Sequence, residues 1–164
     1  MDLYVLRHGR AGDPLPGHAD RLRPLTAEGR ERTTITGRAM RRLGVAPALV
    51  LSSPLVRARE TAALAAAELE TRPEVVIVDF LAPGAGPRVV REAILREYGD
   101  VDPLMIVGHE PDLSALVAAS IARDGSARVQ VKKGALVHLA GFERELAELR
   151  ALFPPKALLA LGER

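Results

Sequence analysis

The sequence predicts an α/β fold built on a mostly parallel sheet, and three observations predict it. Short apolar runs alternate with stretches of helical length from the first residues onward. Several of those runs are apolar almost without interruption, as strands buried on both faces of a parallel sheet must be. Serine, threonine, proline and glycine punctuate the junctions between them. Crossover units of this kind put helices on both faces of the sheet, and 164 residues suit one domain, spanning 1–164.

The elements follow in order. Residues 3–6 are a first strand. Thr26 is placed to cap a helix that tolerates Gly29, runs to about Leu43 and is stopped by Gly44. Residues 49–51 form a second strand closed by Ser52-Ser53-Pro54. Ser53 is expected to cap the next helix and Pro54 to fill its first position, with the alanine-rich stretch to about Leu69 as its body. Residues 75–78 are a third strand, followed by a break at Pro83-Gly84. A helix over 88–98, a strand over 104–107 and a helix opened by Pro111 and reaching about Ala122 come next. Residues 127–131 and 136–139 alternate polar and apolar, which predicts strands with one wetter face. Residues 143–152 fit neither period.

Composition excludes several classes. Hydrophobic residues at 48% and charged ones at 27% belong to a folded globular chain. No apolar run approaches the ~18 residues of a membrane span, and no basic stretch leads into a signal-like apolar core. There is no cysteine, hence neither disulfide framework nor thiolate chemistry, in keeping with a cytoplasmic protein. The pI near 9.4 invites a nucleic-acid reading. Against it, the net charge is only +2, aromatics are 3%, and basic residues are interspersed with acids, as in RLRPLTAEGRER.

In an open α/β sheet ligands bind at the carboxyl ends of the strands. Those ends read Arg7-His8-Gly9, Ser52-Ser53-Pro54, Leu81-Ala82-Pro83 and Gly108-His109-Glu110. Two of the four histidines thus stand at strand ends, with Arg57 one turn into the helix after the second strand. Arginine beside a cation disfavours a zinc site. There is no G-x-S-x-G elbow, and GRAGDPLPG matches neither dinucleotide nor P-loop fingerprints. An anion site with a nucleophile fits: arginines clamp phosphate oxygens in a planar fork, and a neutral imidazole attacks phosphorus. Arg59, His18 and His138 carry ordinary readings, respectively a solvated helix residue, a loop residue and a strand residue with a polar partner.

The stretches LRHG, SSPLVRARET and VGHEPDLS, in that order, resemble the histidine phosphatase (phosphoglycerate mutase-like) superfamily. RPLT and KKGALVHL, with the short chain, are similar to its small SixA-type phosphohistidine phosphatases. The likeness runs from Leu3 to about Leu139. It implies a three-layer sandwich, no metal and no cofactor, with His8 as the nucleophile. Arg7, Arg57 and His109 would bind the phosphoryl oxygens, a protonated His109 adding its charge to the arginines, and Arg23 resembles a position near the pocket mouth. For the leaving-group acid two carboxylates remain open: Glu110, beside His109, and Asp79, the only one in DFLAPGAGP. The partner implied is a phosphorylated protein or a small phosphorylated substrate. The short stretch between Arg57 and His109 is filled by the predicted strands and helix, which leaves no room for a lid and favours phosphohistidine on a protein. A sugar-phosphate mutase, a small-molecule phosphatase and a non-catalytic phosphate-binding module are the alternatives.

Overall fold

A computed structural model describes residues 1–13, 17, 19–124 and 126–163. Its six strands form one sheet in the order β3-β2-β4-β1-β5-β6. They are β1 (Leu3–Arg7), β2 (Leu49–Ser52), β3 (Glu74–Ile77), β4 (Leu104–Gly108), β5 (Leu136–Ala140) and β6 (Glu148–Phe153). The first four pair in parallel, while β5 and β6 run antiparallel along one side. The expected α/β architecture is therefore the observed one.

Both faces of the sheet are apolar, and the strands show why their runs are continuous. Leu3 and Val5 of β1, Leu51 of β2 and Leu104 and Ile106 of β4 point to one core. The intervening Leu6, Val50, Met105 and Val107 point to the other. The first core is closed by α3 (Pro87–Tyr98) and α4 (Asp112–Ile121), through Val90, Ile94, Leu113, Leu116 and Val117. The second is closed by α1 (Ala27–Arg42), α2 (Val56–Glu68) and α5 (Pro155–Gly162), through Met40, Ala58, Ala62, Ala65 and Leu158. Side chains of period 2, all apolar, thus serve two helical layers at once.

Thr26 caps α1 as the sequence predicts, its Oγ1 accepting from the Gly29 N–H at 2.9 Å. Three expectations are corrected, and one undetermined stretch is resolved. Helix α2 starts at Val56, with no side-chain cap, because the Ser53 hydroxyl is engaged by Leu55 N–H and His109 instead. Helix α4 starts at Asp112, one residue past Pro111. Residues 127–131 form no strand: the place beside β1 belongs to β5, and Val131 N–H goes to the Ser114 hydroxyl rather than to a ladder. Residues 148–153 of the undetermined tail add β6 to the sheet, and α5, which the sequence did not announce, packs behind it on α1. His138 meets Asp2 at 3.2 Å and stacks on Tyr4, in line with its polar-partner reading; His18 lies outside the described residues. No helix among the described residues is long and apolar enough to cross a membrane.

The loop after β1 is held tightly against α1. A Cβ on Gly9 would stand 2.6 Å from Thr33 Oγ1, and one on Gly29 only 2.1 Å from the Arg10 carbonyl oxygen. Alanine is favoured over glycine inside a helix by about 1 kcal/mol, whereas forced overpacking costs about 1–3 kcal/mol and more against backbone. Gly29→Ala is therefore expected to destabilise the fold by at least about 1 kcal/mol in urea titration. An unchanged or raised midpoint would show that the loop yields freely.

Candidate active site

Pairing of β1 with β4 sets Arg7 opposite Gly108, so the residues that follow, His8 and His109, emerge side by side. Their rings lie 4.9 Å apart between centroids, tilted by 51°. On the far side of β4, β2 delivers Ser53, whose N–H continues the ladder to the Val107 carbonyl at 3.0 Å. From the first turn of α2, Arg57 reaches in. His8, Arg57 and His109 are 6%, 5% and 3% exposed, buried at the rim where the sequence reading placed them.

His8 Nδ1 lies 2.7 Å from the Gly9 carbonyl oxygen. A carbonyl can only accept, so Nδ1 carries the hydrogen and Nε2 keeps its lone pair. Burial is the main reason that the His8 pKa is pushed down to about 4, with the charges of Arg57, Arg7 and Lys133 adding to it against the Gly9 hydrogen bond. His109 is pushed down to about 3, again first by burial, then by His8 and Arg57. Both rings are thus neutral near pH 7. Buried beside cations, His109 offers a dipole here; the protonated His109 expected beside a bound phosphoryl group is a separate state, which that group's negative charge would favour.

His109 Nε2 stands 2.7 Å from the Ser53 hydroxyl, which also accepts from Leu55 N–H at 3.3 Å. The arrangement that satisfies these atoms sends the hydroxyl hydrogen to Nε2 and leaves the ring hydrogen on Nδ1. Among the described residues Nδ1 has no partner, and neither have Arg7 Nε and Arg57 Nε, all three buried. Orphaned buried donors are rare in folded proteins and call for a reason. Arg23 Nε and Arg91 Nη1 are also without partners, but Arg7, Arg57 and His109 belong to the residues gathered about His8, where an anion could serve them.

The guanidinium groups are held from behind. Arg7 Nη1 donates to the Val131 carbonyl at 2.9 Å. Arg57 donates to Asp20 twice, Nη1 to its carbonyl at 2.9 Å and Nη2 to its carboxylate at 3.0 Å. Arg23 shares that carboxylate at 2.7 Å and donates to the Gly12 carbonyl at 2.8 Å, so it reaches the site through Asp20. Desolvation works to raise the Asp20 pKa, but Arg57 and Arg23 hold it below its ordinary value. Thr61 joins the two halves: its hydroxyl donates to the Arg57 carbonyl at 2.7 Å and accepts from Gly9 N–H at 3.0 Å. Arg59 is exposed, as expected.

The two candidate acids are not free carboxyls poised over the histidines. Glu110 is bound to Ser114 through its N–H at 3.2 Å and its hydroxyl at 2.6 Å, at the start of α4. Asp79 is exposed in the 3-10 turn Asp79–Leu81. Sequence reasoning missed Asp20, Thr61 and the site role of Ser53. Only Thr61 and Ser53 left a trace, as letters of SSPLVRARET.

The family model described as "Histidine phosphatase superfamily (branch 1)" matches residues 3–81. An uncharacterised protein of Picosynechococcus sp. is 37% identical over 170 residues, 97% of this chain and 99% of its own. The chain belongs to the histidine phosphatase superfamily. Among solved structures, the protein histidine phosphatase SixA complexed with tungstate superposes with a TM-score of 0.85 at 21% identity, covering 96% of this chain and 99% of that one. The alpha-ribazole phosphatase from Shigella flexneri gives 0.70 at 24%, covering 94% and 97%. At these identities the two share the fold of this histidine phosphatase.

The depressed histidines give this member of the superfamily a defined acid response. Both folded pKa values lie below 6.5, so between pH 6.5 and about 4 the unfolded chain binds more protons than the folded one. Stability therefore falls as pH drops through that window, at up to about 1.4 kcal/mol per pH unit for each imidazole. Imidazole NMR is expected to show neither ring protonating between about pH 8 and about pH 5. In denaturation series, His8→Asn should flatten the loss of stability over the lower part of that range. A His8 midpoint near 6.5 would contradict the burial argument.

Proposed function

We propose that this chain is a phosphatase that works through a phosphoryl group carried covalently on His8, and that its substrate is phosphohistidine on a protein. One observation carries the first half. His8 is buried with Nδ1 committed to the Gly9 carbonyl, which leaves the Nε2 lone pair free beside His109 and within the field of Arg7 and Arg57, each of which keeps a buried nitrogen without a partner among the described residues.

In the first step the Nε2 lone pair forms a bond to phosphorus while the bond from phosphorus to the leaving group breaks. The leaving group keeps the electron pair and takes up a proton. In the second step water attacks phosphorus, the N–P bond breaks, and its pair returns to Nε2, with phosphate and a proton released. A phosphoryl group carries about −1.5 to −2 charges. Arg7 and Arg57 offset that charge, and Nδ1–H of His109 adds a hydrogen bond. Asp20 and Thr61 position Arg57, and Arg23 acts through Asp20.

Two observations support a protein phosphohistidine over a small phosphomonoester. Among the described residues, the chain between α2 and β4 is spent on β3, the 3-10 turn and α3, with no further segment to close over the rim. Glu110, in turn, is held by Ser114. An alkoxide leaving group needs a proton donor. A phosphorus–nitrogen bond to imidazole needs less, because protonated imidazole departs easily. A small sugar phosphate gains from closure and water exclusion, whereas a side chain on a folded protein needs an open rim. The fold shared with a protein histidine phosphatase agrees with this reading.

Brief exposure to a labelled phosphoryl donor, quenched without acid, is expected to leave an acid-labile label on His8; a label on a serine or on another histidine would refute the mechanism. His8→Ala should lose turnover while retaining phosphate binding, which sets an enzyme apart from a binding module. Arg57→Lys should lower kcat/KM by about 10²-fold, since lysine lacks the planar fork.

For the substrate, Glu110→Gln is expected to spare phosphoramidate hydrolysis and to slow alkyl phosphates. Higher kcat/KM on a sugar phosphate than on every phosphohistidine protein tested would defeat the preference.

A further inference from the structure

The sequence contains three lysines, Lys132, Lys133 and Lys156, and the fold brings all of them to one place. They line an open groove of about 550 Å³ together with Arg7 and Arg32. Among the described residues, no acidic side chain lines it. Arg32 is paired with Glu28 at 2.7 Å, but none of the lysines has an ion-pair partner among the described residues. Like charges do not collect without cost. Lys132 and Lys133 come from the loop before β5, and Lys156 from the start of α5, far away in sequence.

The groove is continuous with the site. Arg7 belongs to both, and Lys133 also lines a smaller cavity beside Gly9. An occupant would thus be the part of a substrate that flanks its phosphoryl group. The chemistry of the lining says what kind of part. The three lysines are exposed, hydrated point charges on flexible stems, suited to carboxylates whose positions vary. A second phosphate on a small molecule would call for buried, fixed forks, and apart from Arg7 the groove has none. The Pro154–Pro155 turn, at its base, fixes where Lys156 begins.

We propose that this groove docks a carboxylate-rich surface next to the phosphorylated histidine of a protein substrate. This rests on the protein-phosphohistidine reading above and adds a requirement on the partner's charge. Such contacts act through association, so they depend on salt and appear in KM more than in kcat.

The test compares the full chain with a Lys132→Glu/Lys156→Glu variant, which leaves Arg7 and Lys133 in place. The substrates are an acidic histidine-phosphorylated protein, free phosphohistidine and a small bisphosphate. The variant is expected to lose about 10-fold or more in kcat/KM on the protein, through KM, and to show a flatter salt dependence. Free phosphohistidine should change by less than about 2-fold, which also reports an intact fold, since charges at a docking rim do not touch the chemical step. A Lys132→Gln/Lys156→Gln variant should give a smaller loss in the same direction. An unchanged protein rate, an equal loss on protein and free phosphohistidine, or a loss confined to the bisphosphate would overturn the proposal. If the unaltered chain hydrolyses free phosphohistidine but no acidic phosphoprotein, docking fails although the His8 chemistry stands. If it hydrolyses neither, the underlying reading fails with it.

Discussion

The register between β1 and β4 is the constraint on which the rest depends. Arg7 faces Gly108, and the His8 N–H continues the ladder to the Gly108 carbonyl at 3.2 Å. Side chains alternate along a strand, so a slip of one residue would reverse every face. It would exchange Leu3 and Val5 with Tyr4 and Leu6, and separate the two histidines. The two apolar cores therefore hold the geometry of the candidate site in place. Packing fixes the register, the register fixes which residues leave the sheet together, and the loops begin from there.

Burial then decides what those residues can do. Water would leave His8 half protonated near its ordinary pKa of 6.5 and would pair with every guanidinium. Removed from water, the imidazole stays neutral, and its tautomer is chosen by the Gly9 carbonyl. The same burial strands Arg7 Nε, Arg57 Nε and His109 Nδ1 without partners among the described residues. An unmet buried donor costs about 1–3 kcal/mol. A fold that carries three of them on neighbouring residues is less stable than it could be, and an anion bound among those residues could offset that cost. Asp20 and Thr61 keep that arrangement from relaxing, Asp20 by accepting from both terminal nitrogens of Arg57 and Thr61 by tying Gly9 to α2.

How much of this was legible in the sequence follows from the range of each interaction. Strands β1, β2 and β4 were legible because their whole apolar runs are buried, and a run needs no partner to be recognised. His8 and His109 were legible because they end such runs. Asp20 was not: it sits among RLR charges that read as solvated, and its function exists only once α2 brings Arg57 to it. Ser53 followed by Pro54 has the local form of a helix cap, but the tertiary bond to His109 takes the hydroxyl. Residues 127–131 alternate like a strand, yet a strand needs a neighbour, and β5 already fills that place. Helix α5 depends on Gly162, whose missing Cβ lets the chain approach the Ile35 carbonyl; that closeness has no local signature.

Glu110 shows where the site's charge economy leads. Its carboxylate raises the Arg7 pKa against the effect of burial while also receiving the Ser114 N–H and hydroxyl at the head of α4. A general acid must reach the leaving group with a proton to give. Both Glu110 carboxylate oxygens are engaged by Ser114 instead, which is the geometry of an anchor. On the reading proposed above, a carboxylate engaged in this way matters least when the leaving group is a protonated imidazole. The stretch between α2 and β4, which among the described residues carries only β3, the 3-10 turn and α3, bears independently on the same proposal.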